Sequence, residues 1–258
     1  MSEHLKAISE ALYDAQTARV AMDPVVSKAE GLTVEDAYRI QLLNVDRRLE
    51  EGRKIVGKKI GLTSLAMQNM LGVDQPDYGH LLDDMIVENH EIERDRMLQP
   101  KVEAEIAFVL KENLVGPGVT VEDVHRATDY VLASFEIVDS RIRDWQIGLV
   151  DTVADNASSG VFVLGTNKVA LEGVDLKAVE MSLYKNGELV NTGNGAAALG
   201  DPAYCVAWLA NKMHEFGIVL KKGEIILSGA LSAALTAEKG DRFRADFSVL
   251  GTVEVVFI

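Results

Sequence analysis

The alternation of apolar and polar positions divides this 258-residue chain into a short helical beginning and a long strand-rich remainder. Leu5, Ile8, Leu12 and Ala15 recur at helical spacing and predict an amphipathic helix over 3–18. A loop around Asp23-Pro24 follows, over 19–31. Thr33, with Asp36 three positions on, forms a capping pattern that predicts a second helix from about Val34 to Glu51, stopped near Gly52. Ile55–Leu62 predicts a short strand broken by Gly57 and Gly61. Beyond it Ser64 can cap a helix through Met70, with Gly72 to end it, and Met67 and Met70 fall at core spacing. Asp77 follows Pro76 in an expected turn, and His80 is expected in a loop rather than as a ligand.

The pattern then shortens to period two. In KVEAEIAFVL the residues Val102, Ala104, Ile106, Phe108 and Leu110 share one face, which is a strand signature. TVEDVHRATDY opens on a capping pattern, Thr120 with Asp123, and reads as a helix. VLASFEIVDS reads as a second strand. A long polar loop is expected before the buried strand VFVLG (161–165). MSLYKNGELVNTG predicts a hairpin turning at Asn186-Gly187. GNGAAALGDP matches a loose dinucleotide pattern at Gly193, Gly195 and Ala198, but it follows a hairpin and precedes the helix cap Asp201-Pro202, so a nucleotide site is rejected there. A helix over 202–216 should bury Val206, Leu209, Ala210, Met213 and Phe216. EIILSG (224–229), the turn Lys239-Gly240-Asp241, RFRADFSVL and TVEVVFI complete a chain of α+β class.

Candidate chemistry gathers on the paired strands. Glu103 and Glu105 share the face opposite the apolar stripe, about 7 Å apart along the strand. Carboxylates this close resist ionising together unless a cation lies between them. The strand–helix–strand unit can bring Glu136 alongside, and three carboxylates suit a hard cation such as Mg²⁺ or Mn²⁺. The alternative is the solvated face of an edge strand. Glu136 speaks against it, because an acid inside an apolar strand needs a partner. Lys58 and Lys59 point to opposite sides of their strand. An inward lysine beside an anion is a candidate acid/base or charge clamp, and an ordinary surface lysine is the other reading.

Composition changes the picture only at its margins. A formal net charge of −14 argues against nucleic acid, whose binding rests on neutralising phosphates. No apolar run approaches the ~20 residues that span a bilayer. The N-terminus reads as a polar amphipathic helix and not a signal peptide. The single cysteine, Cys205, excludes an internal disulfide framework, fits a reducing cytosol and is expected to be core filler on a helix.

The stretches GKKIGLTS, GVDQPDYGHLLDDM, PKVEAEIAFVL, FEIVDSRI with DW, DTVADNASSG, GAAALGDP and VAWLAN run in order from about residue 33 to the C-terminus. Together they resemble the hydratase/decarboxylase family of aromatic meta-cleavage pathways, related in fold to fumarylacetoacetate hydrolase. The resemblance implies a mixed β-roll core with flanking helices, divided into an N-terminal helical segment (1–53) and a catalytic domain (54–258). It implies Mg²⁺ or Mn²⁺ held by Glu103, Glu105 and Glu136, and it selects Lys59 over Lys58, with Asp77, as the catalytic pair. Ser64, Asp155 and Ser159 are the substrate-binding candidates. Hydratase-like members carry an acid at the position of Asp77 where the decarboxylase branch is apolar. The implied reaction is therefore hydration of 2-hydroxypenta-2,4-dienoate to 4-hydroxy-2-oxopentanoate. The alternatives are decarboxylation of 2-oxo-3-hexenedioate and hydration of 2-oxohept-4-ene-1,7-dioate, although DWQIGLVDTVADN is more similar to the short-substrate branch. A non-catalytic member supporting a decarboxylase partner should have lost Lys59 or a glutamate, and none is lost. The resemblance further implies a homo-oligomer and a complex with a related decarboxylase, while the charge, the short apolar runs and the single cysteine lead us to expect a cytoplasmic protein with no nucleic-acid or membrane partner.

Overall fold

The computed structural model describes residues 3–28, 31–65, 68–69 and 72–258. The two opening helices form as their periodicity predicts. Helix α1 (Glu3–Ala18) buries Leu5, Ile8, Leu12 and Ala15. Helix α2 (Val34–Glu50) starts at a full capping box, in which the Thr33 side chain accepts from the Asp36 backbone and Asp36 answers at the cap. Glycine at 52, with a φ of 89°, takes the left-handed conformation that ends the helix.

Two sheets follow. The larger takes the order β2-β1-β9-β4-β5-β6, with β10 appended to β4. Its members are β1 (Ile55–Gly61), β2 (Asp77–Leu82), β4 (Lys101–Leu110), β5 (Thr128–Val138), β6 (Ser159–Leu164), β9 (Ile225–Ala230) and β10 (Leu235–Thr236). The smaller takes the order β3-β12-β11-β7-β8 and comprises β3 (Glu91–Ile92), β7 (Glu180–Lys185), β8 (Glu188–Asn194), β11 (Arg242–Phe247) and β12 (Gly251–Phe257). Asn186 and Gly187, both at positive φ, turn the β7–β8 hairpin as the sequence indicates. This mixed, curled α+β architecture agrees with the expected β-roll.

The alternating residues of β4 separate two apolar zones. Ile106 and Phe108 join the main core shared with α1, α2, the smaller sheet and helix α5 (Pro202–His214). Ala107, on the other face, joins a second cluster with Leu81, Leu132, Phe162 and Leu227. The helical layer is keyed to the sheet by rings: Tyr38 of α2 lies 5.3 Å from Tyr78 of β2 and 4.2 Å from Phe216. Such aromatic pairs add about 0.5–1.5 kcal/mol each beyond their buried area.

Four local expectations are corrected. Asp77 and His80 are strand residues, because β2 pairs with β1 from Gly61↔Asp77 through Lys58↔His80 and so satisfies its backbone in a ladder. Helix α3 (Val121–Ala127) stops before the expected Thr128-Asp129-Tyr130, where Thr128 already pairs with Leu110 of β4. The segment before β6 is no plain loop: it holds helix α4 (Leu149–Ala154), with Asp151 accepting from the Gly148 N–H at its start. Phe216 lies past the end of α5 and is half-buried. The expected helix from Ser64 to Met70 lies partly outside the described residues, as do Met67 and Met70. Cys205 is buried in α5.

Candidate active site

Strand pairing assembles the carboxylates. β4 is an interior strand between β9 and β5, which removes the solvated-edge alternative. Glu103 lies directly opposite Glu136 in the antiparallel register, and Glu105 lies opposite Ser134. Side chains two apart on a strand share a face, so all three carboxylates converge. One oxygen from each lies within 4.8 Å of the other two. Glu105 and Glu136 are buried, while Glu103 is partly accessible.

The polar accounting is incomplete in a directed way. Glu105 Oε2 accepts the Gly229 N–H at 2.9 Å, but Glu105 Oε1 and both oxygens of Glu136 have no hydrogen-bond donor. Burial pushes the Glu105 carboxyl well above its ordinary range, and the charges of Glu136 and Glu103 push it further. Burial likewise raises Glu103 and Glu136, against the pull of the nearby Lys59 ammonium. Buried, unpartnered carboxylate oxygens at mutual distances of a few ångströms are the donor set of a hard divalent cation, so the residues fit Mg²⁺ or Mn²⁺. Each residue offers one oxygen, and an octahedral ion so held keeps open positions.

Lys59 supplies the one cation within ion-pair reach of this cluster among the described residues. Its Nζ lies 3.5 Å from Glu136 Oε2 and 3.8 Å from Asp77 Oδ1, and it donates to the Ala157 carbonyl at 3.0 Å. Burial works against its charge, but Glu136, Asp77, Glu103 and Glu105 together outweigh that cost and hold the ammonium above its ordinary pKa. Asp77 is buried and its Oδ1 has no hydrogen-bond donor. The pair closes up because residue 61 is glycine: a Cβ there would lie 2.3 Å from Asp77 Oδ1 and 2.7 Å from Lys59 Nζ.

Lys58 faces the opposite side, as neighbours on a strand must. It is also buried, against a surface-lysine reading, and is chelated by Glu224 at 2.6 and 2.7 Å. His80, on that same side, meets Gln41 Oε1 through Nδ1 at 3.0 Å and takes no part in the acidic cluster.

The segment after α4 closes the site. Asn156, Ala157 and Ser158 are three successive non-glycine residues at φ of 53°, 52° and 53°. Strain of this kind costs on the order of 1 kcal/mol per residue or more and persists only where neighbours enforce it. Arg141 is the enforcer. Its guanidinium engages the Asp155 carboxylate and carbonyl and also donates to the carbonyls of Asp139 and Ser159, while its backbone N–H reaches Asp155 Oδ2. Both oxygens of Asp155 are thereby taken. The hydroxyls of Ser158 and Ser159 are buried without partners. Ser64 is half-buried where the chain leaves β1, next to the buried Thr63. Thr63 in turn crowds Gly229, where an added Cβ would meet its Oγ1 at 2.3 Å.

Sequence reasoning missed Gly61, Thr63, Arg141, Ala157 and Gly229. Only the glycines carried a signal, since glycine inside a strand marks a close approach.

Comparison with known proteins places this geometry in context. The family described as fumarylacetoacetate (FAA) hydrolase C-terminal matches residues 74–258. A 2-hydroxypent-2,4-dienoate hydratase of Pseudomonas putida is 52% identical over 82% of this chain and 96% of its own. A 2-hydroxyhexa-2,4-dienoate hydratase of Comamonas testosteroni is 47% identical over 95% of this chain and 94% of its own. Among solved structures, 4-oxalocrotonate decarboxylase from Pseudomonas putida G7, complexed with magnesium and adipate, superposes with a TM-score of 0.95 at 38% identity, covering 99% of this chain and 98% of that one.

Proposed function

The chain belongs to the fumarylacetoacetate hydrolase family, and from that premise we propose that it is a hydro-lyase adding water to 2-hydroxypenta-2,4-dienoate to give 4-hydroxy-2-oxopentanoate. The observation that carries this reading is the buried acid Asp77 facing Lys59 at the rim of three convergent glutamates. Identity supports it: the two hydratases are closer in sequence, at 52% and 47%, than the decarboxylase at 38%. Fold alone cannot separate the two reactions, because the decarboxylase shares the whole architecture.

Glu103, Glu105 and Glu136 would hold the divalent cation, which when bound supplies electrophilic stabilisation to negative charge developing on the oxygens of a 2-oxo acid. Lys59, kept protonated by its carboxylate neighbours, presents a fixed positive charge and N–H donors toward an anionic substrate. Asp77 Oδ1, without a donor of its own, is placed to take and return a proton. Hydration requires a proton to reach C5 as the enol proton leaves, then water to add its hydroxyl at C4 while C3 gains a proton. Asp77 serves these transfers, and positioned general acid–base catalysis of this kind is worth roughly 10²–10⁴-fold. The buried hydroxyl of Ser159, and that of Ser64, remain candidates for holding the substrate. The Asp155 carboxylate serves the turn, since Arg141 occupies it.

The test is direct. Protein loaded with Mg²⁺ is mixed with freshly generated 2-hydroxypenta-2,4-dienoate, and loss of the dienol absorbance is followed with the product identified by mass. A product heavier by one water, absent with Glu105→Gln, is expected. Persistence of the dienoate alongside release of carbon dioxide from 2-oxo-3-hexenedioate would assign the decarboxylase reaction instead.

A further inference from the structure

β2 is the outermost strand of the larger sheet, so one edge of its backbone faces away from β1. At His80 that edge is not left open. The Asn156 side chain accepts the His80 N–H through Oδ1 at 2.8 Å and donates to the His80 carbonyl through Nδ2 at 2.9 Å. A single amide thus reproduces both bonds of a strand neighbour. Only asparagine among short side chains combines a donor, an acceptor and tolerance of the left-handed φ of 53° found here. Residue 79 leaves room for the approach, since a Cβ there would lie 2.6 Å from the Asn156 carbonyl oxygen.

The next residue is Ala157, whose carbonyl receives the Lys59 ammonium at 3.0 Å. Three residues back along β2 from His80 is Asp77, the other neighbour of Lys59. We propose that Asn156 is a positioning residue: its amide splices the left-handed turn onto the strand bearing Asp77 and so fixes the Lys59 ammonium between Ala157, Asp77 and Glu136. Arg141 anchors the turn at Asp155 and Ser159, and Asn156 sets its distance from β2. The glutamate cluster stands on β4 and β5, whose pairing does not involve Asn156. Loss of the amide therefore displaces Lys59 while leaving the cation site whole.

The kinetic arm rests on the hydratase reading, and the test separates the two. Asn156→Gly suits the backbone conformation, and Asn156→Asp keeps the acceptor but sets a carboxylate oxygen against the His80 carbonyl. For both, kcat is expected to fall at least roughly tenfold, in line with the cost of misplacing a catalytic group by about an ångström. The Mg²⁺ dissociation constant, measured by calorimetry with the metal alone, should stay within about threefold of wild type, because the glutamates keep their places on β4 and β5. Undiminished kcat in both variants, or a loss of Mg²⁺ affinity that accounts for the loss of kcat, overturns the proposal. If the wild-type protein fails to hydrate the dienoate, the functional reading falls, and a crystal structure of Asn156→Gly still decides the positioning role. There Lys59 Nζ should leave the Ala157 carbonyl, and an unmoved ammonium overturns it.

Discussion

At the scale of single residues, the site is defined by what is missing around Lys59 and Asp77 as much as by what is present. Gly61 is the clearest case. Its absent Cβ is the space into which two side-chain termini converge, 2.3 and 2.7 Å from where that carbon would stand. Both termini are ends of side chains rather than backbone, so Gly61→Ala can be absorbed by pushing them apart. The fold should survive with a stability loss of about 1–3 kcal/mol, as for other overpacked positions. The kcat should fall by roughly tenfold or more, because the acid–base pair is displaced. Comparing kcat with the urea midpoint checks this: a variant of normal kcat would mean that the Lys59–Asp77 approach is not used.

At the scale of elements, the strand β2 and helix α2 share a buried polar seam whose side chains lie outside the acidic cluster. Gln41 of α2 donates to the carbonyls of Tyr78 and Val153 and receives His80 through its own oxygen. Burial, aided by the Lys58 charge, pushes the His80 imidazole down to about 3. An unfolded histidine titrates near 6.5, so between those values the unfolded chain binds a proton that the folded one refuses. The stability contributed is full above about pH 6.5 and is lost as pH falls toward 3. Between pH 7 and pH 5 the loss from this one group amounts to about 2 kcal/mol. His80→Gln should therefore narrow the stability gap to wild type by that amount over the same interval, measured by urea unfolding at both pH values. An unchanged gap would place a charged imidazole in the folded seam.

At the scale of the whole molecule, the acidic cluster and the main core are separate structures. The core packs the two sheets, α1, α2 and α5 without using the glutamates. Removing the cation by chelation should abolish turnover and leave the helices and sheets folded. A cation present at a hundredfold over its dissociation constant stabilises by about 2.7 kcal/mol, so the melting temperature should fall on chelation. Far-ultraviolet circular dichroism with and without chelator reads the first point and thermal unfolding the second. Collapse of the circular dichroism signal would make the metal structural.

The sequence by itself determined the local elements and the three glutamates. Periodicity placed α1, β4 and β5; capping residues placed the starts of α2 and α3; and Asn186-Gly187 placed a hairpin. These are properties of neighbouring residues, and the chain states them locally. The glutamates were legible because an acid between apolar strand positions conflicts with its surroundings. Tertiary structure alone decided the register that sets Glu103 opposite Glu136, the burial of β4 between β9 and β5, and the pairing of Lys58 with Glu224 and of Lys59 with Glu136. It alone revealed that DTVADNASSG runs from the end of helix α4 through a braced left-handed turn at 156–158 rather than a plain loop, because Arg141 and His80 supply its bonds from other parts of the chain. Register, burial and bracing depend on residues distant in sequence, so no window along the chain contains them.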